Sequence, residues 1–185
     1  MYIGKKNLNG SFFLTWTCTL IIYNNLGMKI KIYCIGKIKE QYLKDGISEY
    51  VKRISPYAQV EIIEVADSKV KDNPNNSDIE KAKNEEGDRV LRLIRNDYLI
   101  GLDLNKKEPT SEEFTDFLHS KLVEGGSNIS FVIGGSYGLS DALKQRCNTF
   151  ISLSKLTFLH QMTRLILLEQ IYRAFKILNN ETYHK

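Results

Sequence analysis

The sequence is poor in the residues that build metal and disulfide centres. Its three cysteines, Cys18, Cys34 and Cys147, are widely spaced and never form Cys-x-x-Cys. That spacing argues against a disulfide framework and a zinc site, and it fits a reducing cytoplasm. The three histidines, His119, His160 and His184, are equally scattered, so no metal site is expected. With 3 prolines and 12 glycines the chain is neither collagen-like nor low-complexity. No apolar run approaches the roughly 20 residues of a membrane-spanning helix, and Phe12 to Tyr23, apolar but interrupted by threonines, stops at twelve. Lys5 and Lys6 ahead of that run imitate a secretory leader, but no Ala-x-Ala-like site follows. Residues 1–27 are therefore read as an extension ahead of the fold, and no membrane partner is expected. Charge of one sign is also scarce. Lys and Arg number 26 against 22 acids, a net of +4; Lys5 and Lys6 supply two of these, leaving 24 − 22 = +2 for residues 28–185. Such a balance permits a polyanionic partner without demanding one.

What is present fits one domain of 185 residues. From Met28, short β-rich runs alternate with longer amphipathic ones, the pattern of an α/β fold with a largely parallel sheet. Strands are predicted over 28–36, 60–65, 98–104, 129–133 and 150–153. The fourth, apolar apart from Ser130, should be central. Helices are predicted over 41–53, from Ser77 to about Arg95, from Thr110 to Gly125-Gly126, over 141–146 and over about 158–178. Ser77-Asp78-Ile79-Glu80 and Thr110-Ser111-Glu112-Glu113 both have capping-box spacing. The last helix carries apolar residues on more than one stripe, among them Met162, Leu165, Ile166, Ile171, Phe175 and Ile177. Part of it is expected to face another subunit.

Two nucleotide signatures are missing. The first strand ends in Cys34-Ile35-Gly36-Lys37 without Gly-x-Gly-x-x-Gly, and the chain has no Gly-x-x-x-x-Gly-Lys-Ser/Thr. Instead, Gly134-Gly135-Ser136-Tyr137-Gly138 follows the fourth strand, where glycine lets a ligand approach the backbone. The same residues match Gly-x-Ser-x-Gly, and Ser136, Asp141 and His160 follow in hydrolase order. Against a serine hydrolase, Asp141 falls within the helix after the nucleophile, and no His-Gly-Gly-Gly-type oxyanion motif precedes it. Ser152-Leu153-Ser154-Lys155 spells Ser-x-x-Lys but lacks the companion motifs of that enzyme class. His119 is read as an exposed helical residue. Glu169 and Arg173, four apart on one helical face, read as a structural ion pair. Arg164 is the more open residue. Tyr183-His184-Lys185 places an aromatic ring, a near-neutral titrating group and a cation in the last three residues.

Several blocks together carry more weight than any one of them. Ile32 to Lys39, Arg53-Ile54-Ser55-Pro56-Tyr57, Glu85-Glu86-Gly87-Asp88-Arg89, Phe131 to Gly138, Leu153 to Phe158, His160-Gln161, Glu169 to Phe175 and Tyr183-His184-Lys185 occur in order. In these, residues 28–185 resemble the small SPOUT-class methyltransferases that modify a pseudouridine at N3 in large-subunit ribosomal RNA. Leu159 departs from the pattern, because the family usually has proline there. The resemblance implies a single α/β domain with a sheet of five to six mostly parallel strands and a C-terminal deep trefoil knot. It implies S-adenosylmethionine as methyl donor, held by Leu102, Gly134, Leu153, Ser154, Lys155, Leu156, Thr157 and Phe158, with no metal. Arg164, Tyr183, His184 and Lys185 are the catalytic candidates it suggests, and the partners are ribosomal RNA within the ribosome and a second copy of the chain. A non-catalytic RNA-binding module is the remaining alternative beside the hydrolase.

Overall fold

The structure is a computed structural model, and it describes residues 27–104 and 106–183. Five strands, β1 (Lys29–Ile35), β2 (Gln59–Val65), β3 (Tyr98–Leu102), β4 (Asn128–Ile133) and β5 (Thr149–Ile151), form one sheet in the order β2-β1-β4-β3-β5. Every pairing is parallel. A parallel sheet must be covered on both faces, and strand alternation supplies two apolar surfaces. Ile30, Ile32, Cys34, Ile129, Phe131 and Ile133 point to one core, and Tyr33, Ile35, Leu99 and Val132 to the other. Helices α1 (Gln41–Ile54), α3 (Ser111–Glu124) and α5 (His160–Leu178) cover the first face, while α2 (Asn76–Leu91) and α4 (Asp141–Arg146) cover the second. Crossovers to the left along the sheet use the first face and those to the right the second, so all four share one hand, as βαβ units require.

β4 is central, as its apolar composition predicts, and its one polar residue is accounted for. The Ser130 hydroxyl donates to Asp97 Oδ2 at 2.9 Å, where Lys31 Nζ (3.0 Å) and the Tyr33 hydroxyl (3.3 Å) also donate. Burial alone would raise Asp97, but these donors outweigh it and hold the carboxyl below its usual range. Burial, reinforced by Asp97, pushes the Tyr33 phenol up to about 12.

Helix boundaries differ from expectation in instructive places. The Thr110–Glu113 capping box closes reciprocally, with Glu113 N–H donating to Thr110 Oγ1 (3.2 Å) and Thr110 N–H to Glu113 Oε2 (2.9 Å). At α2 the cap is Asn75, not Ser77. Asp78 N–H donates to Asn75 Oδ1 at 2.8 Å, the Asp78 carboxylate accepts from Asn75 N–H, and Ser77 falls in the first turn. Asparagine caps as well as serine does, and the three-residue spacing from Asn75 ends on an acid just as the spacing from Ser77 does. α2 stops at Leu91, short of Arg95, because Arg146 draws the connecting backbone away by donating to the Arg95 and Asp97 carbonyls. α3 ends where the glycines predict, with Gly126 and Ser127 in the left-handed region at φ 60° and 70°. His119 is half-buried rather than exposed.

α5 lies between α1 and α3 and buries Leu167, Leu168, Ile171, Ala174, Phe175 and Leu178 within its own chain. One domain thus covers more of this helix than its apolar stripes suggest. Met162, Leu165, Ile166, Tyr172 and Ile177 stay half-buried. Among the described residues, no helix is long and apolar enough to cross a membrane.

The two caps at α2 make a direct test. Asn75→Ala should lower stability by about 1 kcal/mol, whereas Ser77→Ala should change it by less than about 0.5 kcal/mol. Urea unfolding of both variants measures the difference, and the reverse ranking would place the cap at Ser77.

Candidate functional site

The carboxyl ends of β3, β4 and β5 open onto a cavity of about 500 Å³. Three stretches of chain wall it: residues 102–104 after β3, the glycine loop after β4, and residues 152–163, which leave β5 and begin α5. Of the residues expected to hold a methyl donor, Leu102, Gly134, Leu153, Ser154, Leu156, Thr157 and Phe158 line this cavity. Lys155 does not; it is exposed at the corner that Ser154 makes by accepting the Leu156 N–H at 2.9 Å. The segment is held from below as well. Ser152 donates from its hydroxyl to the Ser154 carbonyl (2.8 Å) and from its N–H to the Lys107 carbonyl (2.9 Å). A loop fixed in this way presents pre-set backbone groups to a ligand.

Gly134 is required for a reason its position in sequence does not reveal. A Cβ there would lie 2.7 Å from the Gly138 carbonyl carbon, because the loop folds back on itself and Gly138 N–H donates to the Gly135 carbonyl at 3.1 Å. The side chain is excluded by the loop's own backbone before any ligand arrives.

Sequence reasoning placed His160 only in a hydrolase triad, yet it lines the cavity together with Thr163 from the first turn of α5. Burial, and then the nearby Arg164 cation, lower its pKa, so the imidazole is uncharged at neutral pH. No hydrogen bond joins it to Ser136 or to Asp141 among the described residues, although Ser136 lines the same cavity. The hydrolase triad is not assembled.

Arg164, one of the catalytic candidates, is fully buried and does not line the cavity. Its guanidinium donates to the Ile35 carbonyl (3.0 Å), the Gly36 carbonyl (2.7 Å) and Glu64 Oε1 (2.8 Å). Glu64 Oε1 also accepts the Ile38 N–H at 3.0 Å. Arg164 therefore ties the start of α5 to the end of β1 and acts by positioning. Glu169 and Arg173 form the expected ion pair at 2.6 Å.

Tyr183 is docked on the outer side of α5. Its hydroxyl donates to Glu169 Oε1 (3.2 Å), its ring meets Tyr172 edge-on with centroids 4.9 Å apart, and the Arg173 guanidinium lies 4.9 Å from its centre. None of these neighbours lines the cavity. Burial, with Tyr50 and Glu169 adding to it, raises the phenol and keeps it protonated. His184 and Lys185 lie outside the described residues.

A family model described as "Predicted SPOUT methyltransferase" matches residues 28–184. The chain belongs to the SPOUT methyltransferase family. Curated relatives carry the name ribosomal RNA large subunit methyltransferase H. Those of Streptococcus uberis and Clostridium botulinum are each 50% identical to it over 159 residues, and that of Carboxydothermus hydrogenoformans is 48% identical. Each alignment covers 85% of this chain and 100% of the relative.

Where the family usually has proline, Leu159 caps α5 with φ −54°, within the range proline imposes, and it is 73% exposed. The family backbone is thus kept without the ring. Leu159→Pro should stabilise the protein by about 0.4–1 kcal/mol, through the unfolded state and without moving the cavity. Thermal unfolding measures it, and a lowered midpoint would show that the α5 start is strained in this chain.

Proposed function

We propose that the protein transfers a methyl group from S-adenosylmethionine to N3 of a pseudouridine in large-subunit ribosomal RNA. It acts in the cytoplasm, on the assembled ribosome and as a homodimer, with residues 28–185 carrying the activity. The observation that supports this most is the convergence of seven expected donor-binding residues on one cavity in a SPOUT methyltransferase chain. The relatives' name supplies the ribosomal RNA substrate. The return of α5 from the edge strand to a place between α1 and α3 fits the family's trefoil knot.

The cavity suits such a donor. Its volume of about 500 Å³ is that of a small-molecule site, with Leu102, Leu153, Leu156 and Phe158 as apolar walls for an adenine ring. Backbone groups of the glycine loop and of residues 154–157 offer hydrogen bonds to its polar edge. When bound, the donor supplies an electrophilic methyl carbon on a sulfonium sulfur. The protein's part is to hold the nucleophile in line and to take away a proton. With the donor bound, His184 or a water that it holds would take the N3 imide proton. Tyr183, whose hydroxyl is given to Glu169, would anchor the two residues that follow it. Lys185 balances the developing anion. Arg164 keeps the β1 end and the α5 start in register.

Mass spectrometry of ribosomal RNA incubated with the protein and labelled S-adenosylmethionine tests the reaction, with free RNA, isolated subunits and whole ribosomes in parallel. A methylated pseudouridine in ribosomes is expected. Binding of RNA with no donor bound would favour a non-catalytic module. Ser136→Ala should retain activity within about threefold, since methyl transfer forms no acyl intermediate. Gly134→Val should abolish donor binding, and full binding by that variant would remove the loop from the site.

Tyr183 is docked away from its own cavity, so we assign each active site to two subunits. Mixing a variant lacking residues 183–185 with Gly134→Val, under conditions of subunit exchange, should restore part of the activity. In the mixed dimer one intact cavity faces one intact tail from the other chain. Demonstrated heterodimers without activity, beside a tail that restores function in its own chain, would overturn the shared site.

A further inference from the structure

Glu86 of α2 is buried, at 4% exposure, and only half satisfied. Its Oε1 accepts the Ser68 N–H at 2.9 Å, while Oε2 is buried with no hydrogen-bond partner. That orphan oxygen is aimed at the glycine loop, for a Cβ on Gly135 would lie 2.9 Å from it. Gly135 lines the cavity, so a single residue without a side chain separates the carboxyl from the ligand space. The neighbouring Gly87 is pressed just as closely on the loop's exit. A Cβ there would fall 2.0 Å from the hydroxyl of Ser140, the residue that caps α4. Glu86-Gly87 is thus the back wall of residues 134–140.

Among the described residues, no cation reaches the orphan oxygen. Arg89, the nearest candidate on α2, donates to the Ala66 carbonyl (3.0 Å), Ser68 Oγ (2.9 Å) and Glu85 (3.4 Å). Charged groups facing Glu86 are Asp67 from the β2–α2 connection and Glu85 and Arg89 from its own helix; β1 presents Ile35 and α4 presents Ser140. Burial raises the Glu86 pKa, Ser68 N–H opposes it, Asp67 adds to the rise, Arg89 opposes it and Glu85 adds again. An ionised carboxyl in this place would be a buried charge with one bond. A protonated one leaves no unpaired charge against the loop.

We propose that Glu86 is a positioning residue of the cavity: its protonated carboxyl, held behind Gly135, keeps the 134–138 turn seated for the ligand, and ionisation loosens it. This rests on the glycine loop being the methyl-donor site. The sign follows from the acid's raised pKa, so loop order is present at low pH and lost as pH rises through that pKa.

Amide hydrogen exchange of the loop in ligand-free protein is the test, read at about pH 4, below the ordinary carboxylate pKa, and at about pH 8, and corrected for intrinsic rates. In the wild type the loop should exchange several-fold faster at the higher pH. Glu86→Gln, uncharged and of the same shape, should stay protected at both, and Glu86→Ala should exchange fast at both. Calorimetric titration with S-adenosylmethionine should follow the same pattern, weakening with pH in the wild type and flat in Glu86→Gln. A Glu86→Gln variant with the wild-type pH dependence would overturn the proposal, as would a Glu86→Ala loop as protected as the wild type at low pH. If Glu86→Ala does not fold, the wild type against Glu86→Gln decides alone. A wild type that shows the loop transition but binds no S-adenosylmethionine would sink the methyl-donor reading and leave the role of Glu86 in the loop standing.

Discussion

The Arg164 guanidinium has no exposed surface, and its two terminal nitrogens donate to the Ile35 and Gly36 carbonyls and to Glu64, while Nε has no partner among the described residues. The last helix is thereby pinned to the end of the first strand. In the strand order β2-β1-β4-β3-β5, the chain leaves the sheet at β5, on the edge. To bring Arg164 to β1 it has to cross the carboxyl ends of β3 and β4, and residues 152–159 make that crossing. The cavity is the space beneath them, floored by the ends of the strands they pass. Where the site lies therefore follows from one buried guanidinium and one strand order.

That dependence marks what sequence could and could not say. The class of fold was legible because a parallel sheet leaves a plain trace: β4 is apolar on both faces, and Thr110 with Glu113 writes out its own cap. Seven cavity-lining residues were legible because they come from blocks that resemble a family's. Arg164 was misplaced because a cation four residues from a histidine looks the same on an exposed face as on a buried one. Its acceptors, two main-chain carbonyls 128 and 129 residues earlier, have no signature in side-chain pattern. The cap at Asn75 was missed because two capping residues stand two apart, and each has an acid three residues on. The local rule is satisfied twice, and tertiary packing of α2 selects between them.

The electrostatics of the site are those of a pocket made for position more than for charge. His160 is uncharged, both terminal nitrogens of Arg164 are bonded, and the Tyr183 phenol is held protonated. None of the three places a free cation at the cavity wall, and of the three the neutral His160 imidazole is the one able to accept a proton there. His184, the proposed acceptor of the imide proton, is the histidine in sequence that the described residues do not include.

The placement of Tyr183 supports the proposal that each site draws on two chains. Its phenol, ring and neighbouring Arg173 are engaged with Glu169 and Tyr172 on the outer side of α5, and the half-buried Met162 and Ile166 leave that helix with apolar surface to cover. Burying that surface against a second copy costs the tail none of its bonds to Glu169, since the ion pair Glu169–Arg173 that anchors it belongs to the same helix. Dimerisation through α5 would carry Tyr183 with it, already ordered by Glu169 and Tyr172. A residue ordered before association loses little entropy on meeting a second chain. In the proposed shared site, the helix that closes the cavity of one chain would also bring Tyr183 toward the other.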